Sequence, residues 1–310
     1  MSLKASDIAA VKGKGFLRNR GTDLFSGRIV APGTVFTAED FKNIAYISEN
    51  FGNGKAFATS RLSVEIPGIP FEKIDEAITF AEAHNLYFGG TGAKIRPITA
   101  CKGTTCVFGN FDTQFLAKKI HKDFYIGWNK VALPHKFKIG VGGCPNSCMK
   151  PSLNDVGIEG HAAPEINLNN CRNCANCSVI NTCPMKAASF KDGKITIDEK
   201  LCITCGVCSG KCPFGAINPE KKVEYQLYVG GTWGKCTRMG TPLKRRVNEE
   251  ELLPTLEKII LWYRENAYKG ERLGMAVDRI GADKMEADIL GDDLILRKEE
   301  ILSKELLTRE

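Results

Sequence analysis

Apolar positions recur along the chain with two periods, and the changes between them outline its elements. Ile74, Ala77, Ile78 and Ala81 fall on one helical face, so Phe71 to His84 is expected to be a helix. Phe57 to Ile66 is rich in β-forming residues and stops at Pro67-Gly68, the pattern of a strand. Phe25 to Phe36 reads as a strand or hairpin broken at Pro32-Gly33. Thr37-Ala38-Glu39-Asp40 then caps a helix running to about Ser48. Residues 22–90 thus read as two β-α units. From 93 to 160 a strand at Ile95–Ala100, a helix at Asp112–His121 and a strand at Phe137–Val141 continue an α/β pattern. Periodicity almost vanishes over 168–218 and resumes with a strand at Val223–Val229 and a helix at Leu252–Asn266. The C-terminal stretch 281–310, with Lys298-Glu299-Glu300 and Lys304-Glu305, reads as an exposed charged helix or tail. The unperiodic stretch, bounded at 166–218, is therefore expected to be a small domain inserted into a larger one made of 91–165 and 219–280. A separate α/β unit, 1–90, precedes them.

Composition narrows the class. Of 310 residues, 43 % are apolar and 25 % charged, which excludes a disordered or collagen-like chain. No run approaches the roughly 18 uninterrupted apolar residues of a bilayer-spanning helix, so no membrane span is expected. The thirteen cysteines are odd in number and tightly spaced, awkward for a disulfide framework. With no apolar signal segment in Met1-Ser2-Leu3-Lys4-Ala5-Ser6-Asp7, a reducing cytoplasm with metal-bound thiolates is the expectation. The formal charge is +7, but the cations are dispersed apart from Lys244-Arg245-Arg246 and no nucleic-acid motif is present, so nucleic acid is not an expected partner. The excess suits a chain holding anionic clusters, each carrying roughly −2 with its thiolates.

The insert holds the strongest motif. Cys171, Cys174 and Cys177 are followed by Cys183-Pro184; Cys202, Cys205 and Cys208 are followed by Cys212-Pro213. This is the spacing of a two-cluster ferredoxin, in which three close cysteines hold one cubane and the distant fourth ligates the other. One set is then Cys171, Cys174, Cys177 and Cys212; the second is Cys202, Cys205, Cys208 and Cys183. The gap of five residues before Cys183, where three is usual, lengthens the loop beside the second cluster. Four further cysteines, Cys101, Cys106, Cys144 and Cys148, form two pairs about forty residues apart. By spacing alone they suit a cubane or a zinc site.

Their flanking residues decide between the two. Ala100-Cys101-Lys102-Gly103-Thr104 and Gly143-Cys144-Pro145-Asn146-Ser147-Cys148 resemble the siroheme-dependent sulfite and nitrite reductase family. Ala58-Thr59-Ser60-Arg61 resembles that family's first substrate-arginine strand, Arg96 stands where its second arginine falls, and Leu133-Pro134-His135-Lys136-Phe137-Lys138 resembles its two-lysine segment. The likeness covers most of 22–245. With its ferredoxin insert the chain is more similar to the dissimilatory and anaerobic sulfite reductases, above all to the catalytic C subunit of the anaerobic enzymes, than to the assimilatory ones. The resemblance implies an α+β fold: one copy of the siroheme reductase unit, a small α/β cap plus an α/β haem domain, with a two-[4Fe-4S] ferredoxin insert. It also implies a third [4Fe-4S] cluster on Cys101, Cys106, Cys144 and Cys148, with Cys148 shared with the siroheme iron. The first pair is separated by four residues where the family usually shows five.

What the resemblance implies for the remaining residues is a catalytic set of Arg61, Arg96, Lys136 and Lys138. Taken alone, each reads as a solvated surface cation; jointly they suit a small dianion, which arginines hold by charge-assisted hydrogen bonds and ammonium groups protonate. Expected siroheme contacts are Gly103, Thr104, Thr105, Asn146, Gly231, Thr232, Lys235 and Arg238, with Lys94 and Lys150 beside them. His135 reads as scaffold and Cys236 as a plain thiol. The implied activity is six-electron reduction of sulfite to sulfide, fed by electron-donor subunits or a ferredoxin-type donor. Nitrite reduction to ammonia at the same site and a non-catalytic three-cluster carrier are the alternatives. Because assimilatory members carry two tandem copies of the unit and this chain one, a homodimer or pairing with another chain is an expected complement.

Overall fold

Phe16 and Phe25 lie fully buried beneath the first sheet, and the elements around them are set by local chemistry. The structure, a computed structural model, describes residues 3–309, so the outermost ends of the 1–90 and 281–310 segments lie outside it. Helix α1 (Ala5–Gly13) leads into β1 (Phe16–Arg18) and β2 (Leu24–Val30). Helix α2 (Ala38–Asn50) begins at a complete capping box, in which Thr37 and Asp40 satisfy each other's backbone N–H groups. Strands β3 (Phe57–Ala58) and β4 (Val64–Pro70), helix α3 (Ile74–Ala83) and β5 (Tyr87–Phe88) complete the unit. Its sheet is antiparallel, in the order β1-β2-β4-β3, with β5 also on β2. The strand expected over Phe57–Ile66 is therefore two strands, and the loop between them carries Arg61. Pro67-Gly68 does not end β4. One extra residue there forms a bulge against Phe25–Gly27, and Gly68 takes up φ +84° in it.

The second sheet has the order β12-β11-β8-β7-β6. Strand β6 (Thr99–Ala100) runs into the first cysteine pair, and α4 (Thr113–Ile120) follows, capped by the Asp112 side chain. A π-helical turn, His121–Ile126, extends it. Strand β7 (Ile139–Gly142) leads into the second pair, and β8 (Val156–Ala162) is buried along its whole length. The insert holds α5 (Ser178–Thr182) and a hairpin of β9 (Ala188–Lys191) and β10 (Lys194–Ile197). Strand β11 (Val223–Val229) then pairs along β8, and β12 (Thr241–Pro242) closes the edge. β6, β7 and β8 are mutually parallel; β11 and β12 run antiparallel.

Helix α6 (Glu249–Asn266) starts three residues before the expected Leu252, because Asn248 and Glu251 form a second capping box. The C-terminal stretch departs from its expectation. After α7 (Leu273–Ile280) come α8 (Ala282–Leu290), α9 (Asp293–Leu296) and α10 (Lys298–Ser303). They bury Met285, Ile289, Leu294 and Ile301 in the same core as α6. The charges of this stretch cover the outer face of packed helices and not an exposed tail. Three apolar cores, one per unit, result. No helix among the described residues is long and apolar enough to cross a membrane.

Candidate active site

Six cations meet where the first unit faces the start of β7. Arg61 reaches across from the loop before β4 and donates to Asn154 Oδ1 at 3.0 Å and to the Pro97 carbonyl at 2.7 Å. Arg28, on β2, donates to the Gly90 carbonyl at 3.0 Å, and Arg96 donates to the same carbonyl. Lys136 and Lys138 flank Phe137 in the extended segment just before β7; Phe137 is fully buried and the lysines half-exposed, so both face away from the core. Arg272, at the start of α7, binds the fully buried Asp155 at 2.8 Å.

The charges act on one another. Burial first, with Arg96 and Arg28 adding to it against Asp155, lowers the Arg61 guanidinium to about 10. Burial and then Arg61 and Arg272 push the Lys138 amine down to about 8. Lys136 is lowered by burial and then Arg272, and His135, whose Nδ1 accepts the Lys136 N–H, is lowered the same way. The Nε–H groups of Arg28, Arg61 and Arg96 are buried without any acceptor. Three orphaned donors in one cationic site are what an anion would satisfy.

Beyond Gly90, whose N–H donates to the Tyr125 hydroxyl, opens a cavity of about 800 Å³. Tyr125 and Trp128 wall it, Lys94, Lys118, Lys122 and Lys130 rim it, and the buried, unpartnered Nδ1 of His121 belongs to a residue of its lining. Burial drives the His121 imidazole down to about 4.

The cysteines group in space. Cys144 is raised by burial and then by Cys101, Cys148 and Cys106, placing the four within charge reach; the Gly143 N–H donates to Cys101 Sγ at 3.2 Å. Cys183, Cys202, Cys205 and Cys208 line one cavity of the insert. Cys171, Cys177 and Cys212 pack on the insert's core around Ile195 and Ile217. N–H donors reach Cys171 from Ile195, Cys183 from Ala187 and Cys202 from Thr204. All thirteen cysteines are free of disulfides. Among the described residues no group of His, Cys, Asp or Glu closes to the spacing of a single bound ion. Thiols with N–H···S partners around an open space fit a multi-iron cubane.

The expected siroheme contacts divide. Gly103 lies against Thr113 and Cys101, where a Cβ would meet Thr113 at 2.6 Å, and Gly231 lies against the Ser152–Asn154 backbone. Asn146 and Lys235 are exposed, and the Lys150 ammonium lies 5.6 Å from the Trp233 ring centroid, bringing the 231–238 hairpin against Lys150. Thr104 is bound to Asp112, Thr105 to the Lys102 carbonyl and Thr232 to the Cys236 carbonyl. Arg238 binds Asp278 at 2.7 Å and donates to Gly230, Met239 and Thr241, so it holds the hairpin to α7. Arg28, Asn154, Asp155 and Arg272 were not legible as site residues. An arginine in the apolar run of β2 is the one local signal among them.

Known proteins agree with this architecture. Residues 91–294 match the nitrite and sulphite reductase 4Fe-4S domain, and residues 18–83 the nitrite/sulfite reductase ferredoxin-like half domain. An uncharacterized protein of Methanocaldococcus jannaschii is 32 % identical over 86 % of this chain and 91 % of its own length. The coenzyme F420-dependent sulfite reductase of the same organism is 29 % identical over 83 % of this chain, which spans 41 % of that protein. The C subunit of the anaerobic sulfite reductase of Salmonella typhimurium is 29 % identical over 74 % of this chain and 71 % of its own. In fold, the chain matches dissimilatory sulfite reductase I (TM-score 0.69, 22 % identity, 86 % of this chain and 69 % of that one). It also matches Mycobacterium tuberculosis NirA (TM-score 0.64, 15 % identity, all of this chain and 49 % of that one). The chain belongs to the nitrite and sulfite reductase family.

Proposed function

We propose that this chain reduces sulfite to sulfide with siroheme and three [4Fe-4S] clusters as resident cofactors. The observation that carries the reading is the meeting of Arg28, Arg61, Arg96, Lys136, Lys138 and Arg272 in one site with three orphaned Nε–H donors. Relatives that bear the name sulfite reductase support it. The basic cavity beyond Gly90, to which Lys94 alone of the expected siroheme contacts belongs, offers room and charge for a polycarboxylate. Cys101, Cys106, Cys144 and Cys148 would hold one cluster, the last also serving siroheme; the insert's two sets would hold the others. When bound, these groups would supply a metal centre for sulfur and relay, one at a time, six electrons from an external low-potential donor.

The chain's own side chains do the rest. The Arg61 and Arg96 guanidinium groups orient the anion by its oxygens. Each oxygen leaves as water and takes two protons, and Lys138 Nζ, its amine lowered to about 8, would give one and regain it from solvent. Lys136 Nζ and Arg272 offset negative charge as it develops. Asp155, closed off by Arg272 and by the Lys138 backbone N–H, keeps that segment in place.

Nitrite reduction to ammonia is the second reading, favoured by the family description that names both anions. A homodimer, or pairing with another chain, that completes the two-unit arrangement is part of the proposal; the match of this whole chain to half of NirA supports it. Holoprotein supplied anaerobically with reduced viologen separates the readings. Sulfide from sulfite, lost in the Lys136→Met, Lys138→Met double variant, supports the proposal. Faster ammonia production from nitrite favours the second reading, and neither product overturns both.

A further inference from the structure

The insert meets the second sheet at one buried asparagine. The loop after Cys205 comes in through Gly206, at φ +69°, where an added Cβ would lie 2.6 Å from Asn110 Oδ1 and 3.0 Å from Ala162 Cβ. Only a glycine permits that approach. Asn110 is 9 % exposed and is bonded through its backbone N–H and both ends of its side-chain amide. Its N–H donates to the Gly143 carbonyl at 3.0 Å, beside Cys144, and its Nδ2 donates to Gly160 at 3.2 Å. Its Oδ1 accepts from Lys221 Nζ at 2.9 Å. The Lys221 ammonium also reaches the carbonyl of Gly109, whose own N–H closes a turn on the Cys106 carbonyl. A second seam runs alongside. Ala162, the last residue of β8, donates to the Thr204 carbonyl at 2.8 Å, His161 Nδ1 meets Thr204 Oγ1 at 2.7 Å, and the Thr204 N–H donates to Cys202 Sγ.

We infer that Asn110, held by Lys221, is the bridge through which the Cys183/Cys202/Cys205/Cys208 group of the insert passes electrons to the Cys101/Cys106/Cys144/Cys148 group. The inference rests on the cofactor reading above and deepens it by naming residues and order. From Cys205 to Cys144 the path is Gly206, one van der Waals step to Asn110, one hydrogen bond to Gly143, then covalent bonds. Electron coupling decays more slowly along bonds and hydrogen bonds than across open gaps, so a single short contact favours this route. One electron leaves the insert-side group and one enters the sheet-side group; no bond breaks and no proton travels. A low-potential one-electron donor replaces the electron at the insert. Lys221 places a positive charge between two anionic groups, which eases the reduction of both.

Wild-type holoprotein and the variants Lys221→Met, Lys221→Arg and Asn110→Leu test it. Iron content is measured first. Anaerobic photoreduction with freeze-quench paramagnetic resonance then times electron arrival at the sheet-side cluster, and a redox titration gives midpoint potentials. The expected result is full iron in all four, with arrival slowed about tenfold or more in Lys221→Met and Asn110→Leu. Both neighbouring potentials fall in Lys221→Met and return in Lys221→Arg, a response that a merely structural lysine would not give. Unchanged arrival and potentials at full iron overturn the bridge and leave the cofactor reading standing. If one variant loses iron, the other decides by the same two readouts. Wild type with iron for fewer than three clusters overturns the cofactor reading and the bridge with it.

Discussion

Arg272 and Asp155 form a closed ion pair 117 residues apart in sequence: Nη2 lies 2.8 Å from both carboxylate oxygens, and Nε lies 3.2 Å from Oδ1. Asp155 has no exposed surface, and its Oδ2 also accepts the backbone N–H of Lys138 at 2.8 Å. One buried carboxylate therefore ties α7, β8 and the lysine segment together. Burial raises the Asp155 carboxyl and Arg272 opposes it.

Removing that carboxylate leaves the Arg272 guanidinium, whose side chain is only 16 % exposed, unpaired. Asp155→Ala is expected to destabilise the fold by about 3–5 kcal/mol, read as a lower denaturation midpoint under anaerobic conditions. A midpoint equal to wild type would show that the pair does not hold these elements.

The pH dependence of turnover follows from Lys138. Its amine is lowered to about 8, so the protonated, proton-giving form is present below that pH and is lost above it. Arg61, lowered only to about 10, stays charged throughout. A plot of kcat/KM for sulfite against pH should be level on the acid side of this limb and descend above pH 8. Lys138→Arg should remove the limb, and Lys138→Met should cost on the order of 10²-fold or more at pH 7. A limb unmoved in both variants would assign the proton elsewhere.

The insert's second thiol set makes a compositional prediction. Cys208, raised to about 11 by burial and then by Cys205, shares its cavity with Cys183 and Cys202. Cys208→Ser should lower the iron content by about one cubane, roughly four of thirteen irons counting that of siroheme, while leaving the sheet-side cluster's signal intact. Loss of the sheet-side signal alone would place Cys208 with the wrong group.

Local chemistry was the legible part of this fold. The capping box at Thr37, the helix face of Ile74, Ala77 and Ala81, and strand Val223–Val229 all follow from near neighbours. Long-range packing was not. Pro67-Gly68 reads as a stop until β2 is seen to accommodate a bulge there. The C-terminal charges read as a tail until Met285 and Ile289 are seen beneath them. The same division holds in the site. Arg61, Arg96, Lys136, Lys138 and the cysteine sets carry motif spacing. Arg272 and Asp155 carry none, because their partnership exists only once α7 has folded against β8. The bond from Arg238 to Asp278 was illegible for the same reason, its partner being 40 residues away.

The proposed function requires that siroheme bind beside the clusters and that sulfite be presented to it. The most direct measurement is the absorption spectrum of anaerobically prepared, reduced holoprotein before and after sulfite is added. The expected result is red-region isobacteriochlorin bands, over broad iron–sulfur absorption, that shift when sulfite enters. Iron–sulfur absorption alone, in protein with its full iron content, would contradict it and leave an electron carrier.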